Sequence, residues 1–191
     1  MLARFGFLLT LLLCLGACAD IISATNGGQA IQEDRGRRSI GTVMDDGSIE
    51  TAIKVNLRAA DPALRDAHIS ITSFNHVVLL VGQVATQDLK NLATRVAREA
   101  SSSIKTVHNE LEVADAIGFF ARSNDAWLSS KLKTLMLADP TISSLRTKVV
   151  TENGVVYLMG LVTQQEADAT ADLVSNARGV VKVVRAFEYI D

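Results

Sequence analysis

Cysteine is scarce in this chain: two residues of 191, Cys14 and Cys18, which is too few to frame a disulfide scaffold. Aromatic residues make up 5% of the sequence, with a single tryptophan, Trp127. Neither sign of charge dominates, since 19 Lys and Arg stand against 21 Asp and Glu. That balance excludes a nucleic-acid binder of the usual basic kind, so no nucleic acid is expected as a partner. No apolar run reaches the ~20 residues that a membrane-crossing helix needs, which excludes a polytopic membrane protein. The 48% hydrophobic content in turn excludes a chain disordered from end to end.

The amino terminus reads MLARFGFLLTLLLCLGA, with Arg4 as its one charge and an apolar run from Phe5 to Leu15. A charged start, a short apolar stretch and small residues before a break describe a secretory signal peptide over residues 1–17. The break, Leu15-Gly16-Ala17-Cys18, resembles the bacterial lipobox, whose cysteine is diacylated and then acylated at its new amino terminus. Cys14 competes poorly, because bulky Leu13 precedes it. The alternative is an ordinary signal peptide in which Cys18 is incidental. With Cys18 lipidated and Cys14 removed, the mature chain keeps no free thiol, which suits an oxidising periplasm. Several acyl chains, at about 0.8 kcal/mol per buried methylene, hold far more firmly than one. In lipoproteins of this kind an aspartate directly after the cysteine favours retention at the inner membrane. Here that position is Ala19, so the outer membrane is expected.

Residues 18–44 are rich in Gly, Ser, Thr, Gln and charge and carry no sustained apolar period, which reads as a lipidated flexible tether of roughly 30 Å reach. An internal repeat follows. Asp61-Pro62 recurs as Asp139-Pro140, and VVLLVG (Val77–Gly82) recurs as VVYLMG (Val155–Gly160). Ile104–Val107 recurs as Val180–Val183. Two units are expected, 45–114 and 124–191, with a linker over 115–123. Ile49, Ile53 and Leu57 recur every four residues along one helical face, and Asp61-Pro62 ends that helix. β-rich runs over 68–73 and 77–84 flank a tight turn, which in the second copy holds Asn153-Gly154, a strong hairpin signal. Leu89, Leu92, Ala93 and Val96 mark a second helix, matched by Ala167, Ala171 and Val174. A closing strand follows in each copy, Lys105–Val113 and Lys182–Ile190. The fold class is therefore α+β, as two tandem αββαβ units, each with two helices packed on a three-stranded mixed sheet.

Catalytic chemistry finds no foothold. His68, His76 and His108 are scattered, with no pair at metal-ligand spacing, and neither a nucleophile elbow nor a phosphate loop is present. Asp45-Asp46 and Glu166/Asp168 fall at expected helix starts, where carboxylates favour the dipole and cap. No enzyme, metal or cofactor is expected.

Core positions should agree between the copies, so departures mark candidates for a special role. When the first helices are aligned on their apolar faces, Trp127 falls opposite Ser48 and Lys131 opposite Ala52, whereas Lys133 matches Lys54. At 100° per residue, Leu128, Leu132, Leu135 and Met136 form the buried stripe, Trp127 and Lys131 lie at its edge, and Leu137 faces solvent. An edge tryptophan beside a lysine, with an exposed leucine nearby, suits a membrane interface, where indole sits at headgroup level. A half-buried tryptophan packed on its neighbour is the alternative.

The unit order, Gly82 and Gly160, and Asn109 in the closing strand resemble the BON domain, named for bacterial OsmY and nodulation proteins. The segments Arg37–Glu50, Ser123–Leu128 and Thr151–Thr163 are similar to those of outer-membrane lipoproteins that carry two BON domains. The resemblance implies a lipid anchor in the inner leaflet of the outer membrane, facing the periplasm, and a role in envelope integrity. It also implies binding of anionic phospholipid (phosphatidylglycerol, cardiolipin) through the second BON domain, and enrichment at division sites. Cys18 is then the lipid attachment, and Trp127, Lys131, Lys133 and Leu137 are the expected phospholipid-binding residues. The alternative is a protein-interaction module that docks an envelope-assembly factor or cell-wall regulator through Trp127 and the sheet edges.

Overall fold

The computed structural model describes residues 36–115 and 118–191. The signal peptide, Cys18 and most of the tether lie outside the described residues. Arg35–Asp191 form one compact unit. Every member of its three apolar clusters comes from residues 49–187, so a chain that begins at Ala19 carries all that this body needs to fold.

The first copy runs α1 (Ile40–Ala60), α2 (Pro62–Asp66), β1 (Ile69–Phe74), β2 (Val77–Val84), α3 (Gln87–Glu99) and β3 (Thr106–Val113). The second runs α4 (Phe119–Ala138), a 3₁₀ turn (Ser144–Arg146), β4 (Thr147–Glu152), β5 (Val155–Val162), α5 (Gln164–Ser175) and β6 (Lys182–Tyr189). The sheets are ordered β1-β2-β3 and β4-β5-β6, each with an antiparallel hairpin and a parallel third strand, which is the expected mixed architecture.

Both leading helices begin earlier than the sequence suggests. Ser39 caps α1 by accepting the amide of Thr42 (3.0 Å), so residues 40–44 are helical rather than tether. Likewise α4 starts at Phe119 and takes in residues 119–123 of the stretch expected as a linker. Among the described residues of these helices the buried positions start only later, at Asp46 and Asp125, and the apolar residues in the first turns of α1, Ile40, Val43 and Met44, are exposed. The chain after Asp61 also does not run straight into β1: Asp61 accepts the amide of Ala63 (2.7 Å) and caps the short α2, with Pro62 in its first turn.

Each sheet buries one face under its own helices. Val78, Leu80 and Val84 of β2 pack with Ile49, Ile53, Leu57 and Ala93; Val156 and Leu158 of β5 pack with Leu128, Leu132, Met136 and Val174. The other faces pack against each other. Val77, Leu79 and Val81 of β2, with Phe74, meet Tyr157, Met159 and Ala186. The result is a four-layer body, helices–sheet–sheet–helices, with the repeats back to back.

Polar contacts ring this inter-sheet core. Gln83 donates to Glu152 (3.0 Å), the Lys105 ammonium pairs with Glu188 (3.1 Å), and Asn75 also donates to Glu188. His68 lies 3.8 Å from Glu152. Burial, joined by the charges of Glu110 and Glu112 on β3 and by Glu152, pushes the Tyr157 phenol up to about 12, so it stays protonated at any physiological pH.

Gly82 and Gly160, which the sequence places at strand ends, sit inside β2 and β5, paired to the first residues of β1 and β4. A Cβ on Gly82 would lie 2.0 Å from the His68 carbonyl oxygen, and φ there is +132°. A Cβ on Gly160 would lie 2.5 Å from the Arg146 carbonyl oxygen. No side chain fits between these strands.

If the sheets share one core, damage on the first is felt by the second. Leu79→Ala should cost ~2–5 kcal/mol, and urea unfolding followed by Trp127 emission, a probe in the second copy, should shift to lower urea together with the far-UV circular dichroism. An unmoved tryptophan transition would show that the copies unfold independently.

Candidate functional site

Helix α4 is held over its sheet by a device used twice in the molecule. Asp125 is buried and accepts the amides of Asn153 (2.8 Å) and Gly154 (2.9 Å) at the β4–β5 turn. In the first copy Asp46 does the same for Asn75 and His76 (both 2.9 Å) at the β1–β2 turn, and it also accepts from the Ser73 hydroxyl (2.7 Å) and Arg38 (2.7 Å). All four turn residues have positive φ, as a tight two-residue hairpin requires. Asp46 is therefore not the helix cap that its position suggests: it lies in the second turn of α1 and acts on the hairpin. Burial by itself would raise its pKa, but the Ser73 hydroxyl, the His76 amide, Arg38 and the Asn75 amide together hold it below the ordinary aspartate value. Of the other expected caps, Glu166 does form a capping box with Thr163, while Asp168 pairs with Arg185 instead.

So fixed, α4 buries Leu128, Leu132 and Met136 and turns its opposite side outward. Trp127 is 60% exposed and Leu137 67% exposed, on the side expected for each. Leu135, expected in the buried stripe, is 39% exposed, because at 80° around the helix from Trp127 it lies on the flank of the stripe. The four expected residues form two pairs. Lys131 sits over the Trp127 ring (5.3 Å to its centre) and donates to the Arg178 carbonyl (2.9 Å), so its charge also braces the loop after α5. Lys133 and Leu137 lie on the other flank and face the first copy.

That second flank borders a groove of about 330 Å³ that both copies build. Arg38 and Phe74 line it from the first; Lys133, Met136, Leu137, Leu145, Thr147 and Lys148 line it from the second. The Arg38 guanidinium stacks on the Phe74 ring (3.8 Å to its centre) while paired with Asp46. Lys148 reaches Glu50 at 3.4 Å. Leu145 on the 3₁₀ turn is 90% exposed at the groove mouth. The sequence reading missed Arg38, Phe74, Leu145 and Lys148, which come together only when the sheets pack. Among the described residues no group of three or more His, Cys, Asp or Glu could hold a metal ion, and no helix is long and apolar enough to cross a membrane.

Comparison with known proteins gives this arrangement a family. The BON domain model matches residues 45–115 and 124–191, and the chain belongs to the BON-domain family, with two copies in tandem. It is 34% identical to the outer membrane lipoprotein DolP of Haemophilus influenzae, over 100% of this chain and 97% of that protein. It is 33% identical to the 21 kDa hemolysin of Actinobacillus pleuropneumoniae, over 80% of this chain and 78% of that protein. To the osmotically-inducible protein Y of Escherichia coli K12 it is 29% identical, over 93% and 92%.

The hairpin lock has a pH signature. Since the folded pKa of Asp46 is depressed, its contribution is complete above the unfolded value near ~4 and is lost as pH falls through the folded value. Asp46→Asn should lower stability at pH 7 by about 2–4 kcal/mol and flatten the acid limb of the pH–stability curve, measured by urea denaturation between pH 2 and 7. An acid limb unchanged in the variant would show that other carboxylates carry it.

Proposed function

We propose that this protein is an outer-membrane lipoprotein, tethered through Cys18, whose second BON domain contacts anionic phospholipid through α4 in support of outer-membrane integrity. It acts by binding, without catalysis. The observation that carries the reading is the pair of large apolar side chains, Trp127 and Leu137, held outward on one helix with Lys131 and Lys133 beside them. Asp125 and the sheet behind α4 keep the helix rigid, so little order has to be gained on contact. The full-length similarity to an outer membrane lipoprotein supports the location. A tryptophan at headgroup level and two basic side chains, each adding about 1 kcal/mol near an anionic surface, make weak contact that the tether would reinforce through effective concentration. Enrichment at division sites rests on family resemblance alone.

Protein docking is the second reading. It is favoured by the outer strands β1, β3, β4 and β6, which lie at sheet edges where a partner strand can add.

Protein from Ala19 onward, titrated with phosphatidylglycerol vesicles, should show a saturable blue shift of Trp127 emission that phosphatidylcholine vesicles do not produce. Lys133→Glu reverses one charge, worth about 2 kcal/mol at the surface, and should weaken that binding roughly tenfold or more. Lys133 is the better probe than Lys131, whose replacement also disturbs the Arg178 loop. An emission spectrum indifferent to both vesicles would end the reading of α4 as a membrane contact surface and favour protein docking there.

A further inference from the structure

We propose that the groove between the two BON domains seats one acyl chain of an anionic phospholipid, so that the lipid site is completed by the first domain and is not confined to the surface of α4. The proposal rests on the phospholipid reading above and gives it a depth and a second wall.

The groove has the chemistry of an anionic amphiphile's binding site. Its floor and mouth are apolar: Phe74, Met136, Leu137 and Leu145. Its polar rim is cationic, with Arg38, Lys133 and Lys148 and no carboxylate among the lining residues. Arg38 and Lys148 are oriented by acidic partners behind them, Asp46 and Glu50, and Lys133 makes no ion pair among the described residues. At about 330 Å³ the cavity lies at the small end of the roughly 300–1,000 Å³ usual for ligand pockets, room for one chain rather than a whole lipid. Leu145 and Leu137 are both strongly exposed at its edge, on separate elements of the second domain. An apolar chain between them would cover both at once, which contact of α4 alone with a flat surface would not do.

Rigid preformation adds to the case. Phe74 is clamped between the sheet–sheet core and the Arg38 guanidinium, and Met136 is fully buried in the core of the second domain, so the floor does not collapse when empty. An acyl chain entering here lies over that floor and displaces water from the exposed Leu137 and Leu145, while its phosphate meets Lys133 at the rim.

The test uses protein from Ala19 onward, carbon-13-labelled at Leu and Met methyl groups, and dihexanoyl phosphatidylglycerol kept below its micelle-forming concentration. The methyls of Met136, Leu137 and Leu145 should shift saturably, and the Phe74 ring should show nuclear Overhauser contacts to the acyl chain. Leu145→Glu, a change at an exposed position that leaves the fold intact, should weaken this binding at least tenfold, and dihexanoyl phosphatidylcholine should bind at least several-fold less tightly. Unmoved groove methyls, or a Leu145→Glu variant that binds the monomeric lipid normally, would overturn the groove even if vesicles still shift Trp127. Saturable groove shifts with no vesicle response at Trp127 would instead uphold the groove and sink the surface contact.

Discussion

A three-stranded sheet has two faces, and two helices cover only one of them. In this protein the uncovered faces solve the problem for each other: Leu79 and Val81 of β2 and Tyr157 and Met159 of β5 are out of water only because the two sheets meet. Central strands buried on both sides read as continuous apolar runs, and a unit of fewer than 75 residues with one such face wet would be marginal. The groove, the mutual orientation of the domains and the placement of α4 all depend on this contact. The polar ring of Gln83, Glu152, Lys105 and Glu188 fixes which way the sheets face, since a rotated packing would leave those groups unpaired.

Within that frame the two copies repeat their devices and differ in their surfaces. Asp46 and Asp125 hold equivalent hairpins, and Gly82 and Gly160 allow equivalent close strand approaches. Asn109, which donates to the Lys90 carbonyl (2.8 Å) and to the Thr94 hydroxyl, ties β3 to α3 where Arg185 ties β6 to α5 through Asp168. The surfaces diverge: Ser48 stands where the second copy has Trp127, and the short α2 stands where the second copy has a 3₁₀ turn that carries Leu145 outward. The shared devices maintain the fold, which leaves the surface positions free to diverge.

Much of this was legible in the sequence, for identifiable reasons. The repeat and the αββαβ order follow from short-range patterns, periods of two and 3.6 and a hairpin dipeptide, which the fold leaves intact. The exposure of Leu137 follows from helix geometry alone, whereas the same geometry puts Trp127 only at the edge of the buried stripe. The packing of the sheets was written in Val77–Val84, where apolar residues occupy both faces, yet a run of that kind does not say what covers its second side. Asp46 looked like a cap because its hairpin partners lie about thirty residues away. The bracing contact of Lys131 was not legible, because its acceptor, the Arg178 carbonyl, is remote in sequence. The groove was beyond reach for the same reason: Arg38, Phe74, Lys133 and Leu145 belong to four separate segments.

The early start of α1 has a mechanical consequence. The chain is already packed at Gly36, which is buried against Arg146, and at Arg38, while the next residues, 40–45, form more than a turn of helix that carries no buried residue, with Ile40, Val43 and Met44 exposed. Tension drawn along the chain from its amino-terminal side would load the Gly36 contact and the Arg38–Asp46 ion pair first, and this turn behind them. Straightening six residues from a rise of 1.5 Å to one of about 3.3 Å lengthens the leash by roughly 11 Å, with the hairpin lock and both cores still intact. Once those two contacts give, the first turn and a half of α1 can extend before either core is strained.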